Sequence, residues 1–71
     1  MNVVNTELLE KTISESGKKK LYLAEKCGLS RKSLANKISN KTEFTGAQVR
    51  ILCRELGINN FAKMDAIFFT Q

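Results

Sequence analysis

Apolar residues recur along this chain in short blocks with helical spacing, and each block is bounded by polar turn residues. Between 46 and 56, Val49, Leu52, Cys53 and Leu56 stand at i, i+3, i+4 and i+7, which puts them on one stripe of a helix. Three blocks open with a side chain able to accept a hydrogen bond from the free N–H groups of a first turn: Asn5, Ser30 and Thr45. Each of these caps follows an apolar residue with an apolar counterpart five positions on, Val4 with Leu9, Leu29 with Leu34 and Phe44 with Val49. Gln48, three residues after Thr45, completes the pattern of a capping box. Gly17, Gly28 and Gly57 stand where the first, second and fourth blocks stop, each suited to a left-handed C-terminal cap.

These signals predict helices at about 6–16, 19–27, 31–39 and 46–56, with a short fifth helix within 60–69. The chain has no proline and no alternating strand pattern. The expected fold class is therefore all-α, a small bundle of four to five helices in one domain spanning 1–71. Its core should draw on Leu9, Ile13, Leu23, Ala24, Cys27, Leu29, Leu34, Ile38, Phe44, Val49, Leu52, Cys53, Leu56 and Ile58, while Leu21 and Ile51 fall off their stripes and stay half exposed. The tail 60–71 is rich in large apolar side chains. One reading has Phe61, Met64 and Phe68 closing the core, with Ile67 and Phe69 pointing elsewhere. The other makes Ile67, Phe68 and Phe69 a contact with a second copy or a partner.

The stretch Leu23 to Ile38, LAEKCGLSRKSLANKI, specifies two short helices at a sharp angle. Ala24 is small enough to let the second helix approach the first, Gly28 permits the positive φ of the corner, and Leu29 and Leu34 fill the space between them. With the capping Ser30 and the later helix ending LCRELGI, the stretch from about Leu8 to Ile58 resembles the bacteriophage repressor and Cro, or Xre-like, helix-turn-helix family. One departure is Lys37, where the family often has its next apolar residue; here Ile38 follows one step later on the same helical face. The resemblance implies a repressor-like DNA-binding domain whose helix 31–39 lies in the major groove. A short C-terminal strand, found in some Cro proteins, is the alternative for the tail.

Charge follows the same segment. From Lys18 to Lys41 the chain carries Lys18, Lys19, Lys20, Lys26, Arg31, Lys32, Lys37 and Lys41 against the single acid Glu25, within a net charge of +5. The remainder is slightly acidic. A basic zone coincident with the motif points to a polyanion, and double-stranded DNA is the expected partner. By match to the family motif, Arg31, Lys32 and Asn36 contact bases, with Ser33 as a minor contact or simply the third residue of a capped helix. Arg31 and Lys32 suit O6 and N7 of guanine, and Asn36 suits N6 and N7 of adenine. Lys20, Ser30, Lys37, Ser39, Asn40 and Lys41 are the expected backbone contacts.

At 71 residues the chain has little room for a catalytic cleft, and it has no histidine, no glycine-rich phosphate loop and no base beside either cysteine. The reading is not an enzyme, with no cofactor, metal or small-molecule ligand. Cys27 and Cys53 lack metal-ligand spacing and are expected to be reduced structural thiols of a cytoplasmic protein. No segment suggests a signal peptide or membrane span. The expected function is sequence-specific binding of a pseudo-palindromic operator by a small phage, prophage or bacterial transcription regulator, two copies meeting at least on DNA. The alternative is a protein-interaction module such as an antirepressor or antitoxin.

Overall fold

A computed structural model describes residues 3–70; the extreme ends of the expected domain and tail, residues 1, 2 and 71, lie outside the described residues. Five helices follow one another in the order α1 (Thr6–Ser16), α2 (Lys20–Lys26), α3 (Arg31–Ile38), α4 (Gly46–Leu56) and α5 (Phe61–Phe68). The caps act as their chemistry demands. Asn5, Ser30, Thr45 and Asn60 accept hydrogen bonds from the N–H groups of Leu8, Ser33, Gln48 and Lys63, and the Gln48 side-chain oxygen accepts in turn from the Thr45 N–H as a capping box. Only α2 starts without a side-chain cap, at Lys19.

Each helix sends one fully buried large residue to the centre: Leu9, Leu23, Leu34, Leu52 and Ile67. Burying a side chain of this size is worth about 1.5–3 kcal/mol, so the core is made by all five helices together. α1 packs against α3, α4 and α5, while α2 packs against α3 and α4. Val4, Ile13, Ala24, Ile38, Val49, Cys53, Ile58 and Phe68 complete the buried set, with Leu8, Cys27, Leu29, Phe44, Leu56 and Met64 partly buried around it. Leu21 is exposed and Ile51 half-buried. No helix among the described residues is long and apolar enough to cross a membrane.

The tail closes the core through Met64 and Phe68 as one expectation had it, and departs from both expectations at other positions. Ile67 is wholly buried and Phe68 nearly so, its ring meeting Phe44 edge-on at 5.7 Å. Neither can serve as an outward partner contact, and of the three tail residues only Phe69 remains at the surface, 37% exposed. Phe61, expected in the core, is 81% exposed. The reason is rotation and length: the buried stripe of α5 runs along Met64, Ile67 and Phe68, and Phe61 stands at the helix start. The expected alternative of a terminal strand reduces to one isolated antiparallel bridge between Val3 and Thr70 of the same chain.

Candidate nucleic-acid interface

The corner between α2 and α3 is built from backbone hydrogen bonds. Gly28, at φ 72°, donates its N–H to the Glu25 carbonyl (3.1 Å), and Leu29 donates to the Ala24 carbonyl (2.8 Å). This paired closure satisfies the last carbonyls of α2 and turns the chain sharply. A Cβ built on Gly28 would meet nothing within 4 Å, so conformation rather than space demands glycine here. Ala24 and Leu34 are buried and Leu29 half-buried. Ser30 then caps α3 through the Ser33 N–H (3.1 Å), and its hydroxyl donates to the Ser33 hydroxyl (3.0 Å). That exchange gives Ser33 a structural role within the cap.

Leu34 and Ile38 hold α3 to the core, which leaves Lys32, Ala35 and Ser39 exposed and Asn36 half-buried on the opposite side, at i, i+3, i+7 and i+4. Arg31 is exposed in the first turn beside them. Among the described residues, the side chains of Arg31, Lys32, Asn36 and Lys41 enter no hydrogen bond or ion pair with the rest of the chain. Ala35 is a member of this face that motif matching passed over; its spacing from Lys32 was the available signal. Ser39 donates its hydroxyl to the Asn36 carbonyl (3.2 Å) and Lys37 its ammonium to the Glu43 carbonyl (2.6 Å). The Lys37 head group thus follows the loop after α3, which explains how a lysine occupies the position where an apolar residue was expected from the resemblance. Lys20 forms an exposed ion pair with Glu10 at 2.8 Å.

Asn40 has a structural role that the sequence reading did not give it. It is the left-handed residue that ends α3, at φ 69°, and the bonds from Asn40 N–H to Lys37 O (3.2 Å) and from Lys41 N–H to Asn36 O (2.9 Å) close the helix around it. Its amide is occupied in both directions: Oδ1 accepts from the Val4 N–H (2.8 Å) and Nδ2 donates to the Val4 carbonyl (2.9 Å). One Nδ2 hydrogen is thereby committed to Val4, and the Thr6 hydroxyl lies 3.5 Å from the same nitrogen. Asparagine two positions after the last apolar residue of a helix is itself a C-cap signal, second to glycine.

The opposite end of the basic zone is neutralised from α4. Lys18 donates to the Glu55 carbonyl (2.6 Å) and to its Oε1 (3.1 Å), and the Tyr22 hydroxyl donates to the same Oε1 (3.0 Å). The hydrogen bond from Lys18, followed by that from Tyr22, holds the Glu55 carboxyl below its usual range. The ammonium groups of Lys18 and Lys26 lie 5.8 and 5.4 Å from the centre of the Tyr22 ring. Both cysteines are free thiols. Burial pushes each up from its ordinary pKa; at Cys27 repulsion from Glu55 adds to this and Lys37 opposes it. Comparison with models of protein families, with curated proteins and with solved structures finds no match.

Proposed function

We propose that α2 and α3 form a helix-turn-helix and that the chain binds double-stranded DNA in a sequence-specific manner through α3, as a small transcription regulator of the repressor and Cro type. The observation that carries this reading is the outer face of α3, where Lys32, Ala35 and Asn36 stand beside Arg31 and the polar side chains have no partners among the described residues. Donors of different geometry on one exposed face, within a basic zone, are the groups that contact with a DNA groove requires. Arg31 and Lys32 suit guanine, the amide of Asn36 suits adenine, and the Ala35 methyl suits the methyl group of thymine. Lys41 and Lys37 flank the helix at its C-terminal end, and Lys20 can exchange its exposed Glu10 partner for a phosphate, since such pairs are weak.

The longest dimension of the molecule, 26 Å, is shorter than one turn of DNA, about 34 Å, so a single copy reads a half-site and two copies read a pseudo-palindrome. Selection of bound sites from a random duplex library, followed by titration at several salt concentrations, tests the proposal. Four to six phosphate contacts give a slope of log K against log salt of about −3 to −6 per monomer. Absence of binding at low salt would overturn it. Phe61, with its large exposed ring, favours a second reading in which α5 also meets a protein, the role expected of an antirepressor or antitoxin. That reading stands alone if charge removal on α3 leaves function intact while Phe61→Ser abolishes it.

A further inference from the structure

Residues 3–6 lie between the end of α3 and the end of α5 and bond to them in alternation. The Val3 N–H donates to the Thr70 carbonyl (3.0 Å) and the Asn5 N–H to the Ile67 carbonyl (2.7 Å). Between these, both backbone groups of Val4 pair with the Asn40 amide, and the Thr6 hydroxyl donates to the Ile38 carbonyl at 2.6 Å. Asn40 thus acts like one residue of a neighbouring strand: its planar amide presents an acceptor and a donor to an extended backbone, as a main-chain partner would. Beneath this strap Val4 is buried in the core, so its position along the strap is set by packing as well as by hydrogen bonds.

We propose that Asn40 is a positioning residue, which through Val4 fixes the C-terminal end of α3 to the seam between α1 and α5 and so sets the angle at which α3 is offered to DNA. The proposal rests on the reading of α3 as the DNA-contacting element. At its other end α3 is held by the Gly28 corner and the Ser30 cap, both of which lie within the local sequence. The Asn40–Val4 and Thr6–Ile38 bonds are long-range, and they tie the last turn to the body of the domain. Leu34 and Ile38 pack the inner side of α3 on the core, but apolar contacts are non-directional, and without directed bonds at its C-terminal end a base-reading helix can rock on them. Phosphate contact tolerates such rocking because lysine side chains are long, but the bidentate geometry of an arginine or amide on a base edge does not.

Asn40→Gly tests this, because glycine keeps the left-handed helix end and removes only the amide. Thr6→Val is the second variant, removing the other long-range bond from a residue remote from the outward face of α3. Each would be measured for affinity to the selected operator and to a scrambled duplex, and for hydrogen exchange at the amides of Ser39 and Lys41. The expected result is a loss of about tenfold in the ratio of specific to nonspecific affinity, nonspecific binding staying within about threefold, with faster exchange in the last turn of α3 than in α1. Equal losses on both duplexes at an unchanged salt slope, as for a neutral hydrogen-bond donor to the backbone, would instead make Asn40 a phosphate contact and overturn the proposal. An unchanged ratio, with only the Val4 amide exchanging faster, would also overturn it. If the parent chain bound no duplex, the DNA reading and the specificity claim would fall together, and the exchange data would still decide whether α3 is held through Asn40.

Discussion

Arg31 and Asn36 leave α3 more than one turn apart and offer different hydrogen-bonding patterns, a forked pair of donors and a donor beside an acceptor. Removing either should therefore relax base preference at a different operator position. Arg31→Ala and Asn36→Ala are each expected to reduce discrimination at one position by about 1–3 kcal/mol while leaving the melting temperature unchanged, because both side chains lack hydrogen-bond partners among the described residues. Lys41→Ala should weaken all duplexes alike. Competition binding against operator variants, one base pair at a time, distinguishes the two kinds of loss, and a uniform loss for all three would remove α3 as the base reader. At this scale the sequence carried much of the candidate face, since residue type announces hydrogen-bonding chemistry. It did not carry the engagement of Asn40, because nothing in the local sequence says that Val4, thirty-six positions earlier, lies across its amide.

Helix ends were the most legible elements, and the reason is local. A cap is a bond between residues three apart, so Asn5, Ser30 and Thr45 declare their helices without help from the fold. α2 begins at Lys20, one residue later than the pattern predicts, because Lys19 offers no side-chain acceptor to mark the boundary. The buried stripe of α5 differs from the expected one at Phe61 and Ile67 for a related reason. In the run FAKMDAIF the apolar residues cover a broad arc, and the choice between Phe61 and Ile67 is made by where α1 lies, which is tertiary information. The corner between α2 and α3 allows a direct check on the element scale. Gly28→Ala meets no steric obstruction, so its whole cost is that of a left-handed backbone for an L-residue, about 1–2 kcal/mol. Urea denaturation should show a lower midpoint of that size with an unchanged slope. A loss much beyond it would mean that the turn also carries a packing load which the open space around Gly28 does not suggest.

Taken as a whole, a domain of this length has few contacts to lose. Truncation after Asp65 removes Ile67 and Phe68 from the core and the carbonyl that accepts from Asn5. Each buried side chain lost costs about 1.5–3 kcal/mol, against a total stability of about 5–15 kcal/mol for a domain. The truncated chain is expected to melt far below the parent or to fail to fold, and thermal melting followed by circular dichroism would show it; an unchanged melting temperature would contradict the placement of the tail in the core. The bridge between Val3 and Thr70 has a separate consequence. It brings the two ends of the described chain to one seam, so the path of the backbone is nearly a closed ring, and the seam is only one of several places where that ring could be interrupted. Joining the ends through a short glycine-serine linker and reopening the chain between the exposed Thr42 and Glu43 should yield a circular permutant with the parent's helix content, measured by circular dichroism. A permutant that stayed unfolded would mean that the order in which the helices are connected, and not only where they pack, is required for this architecture to form.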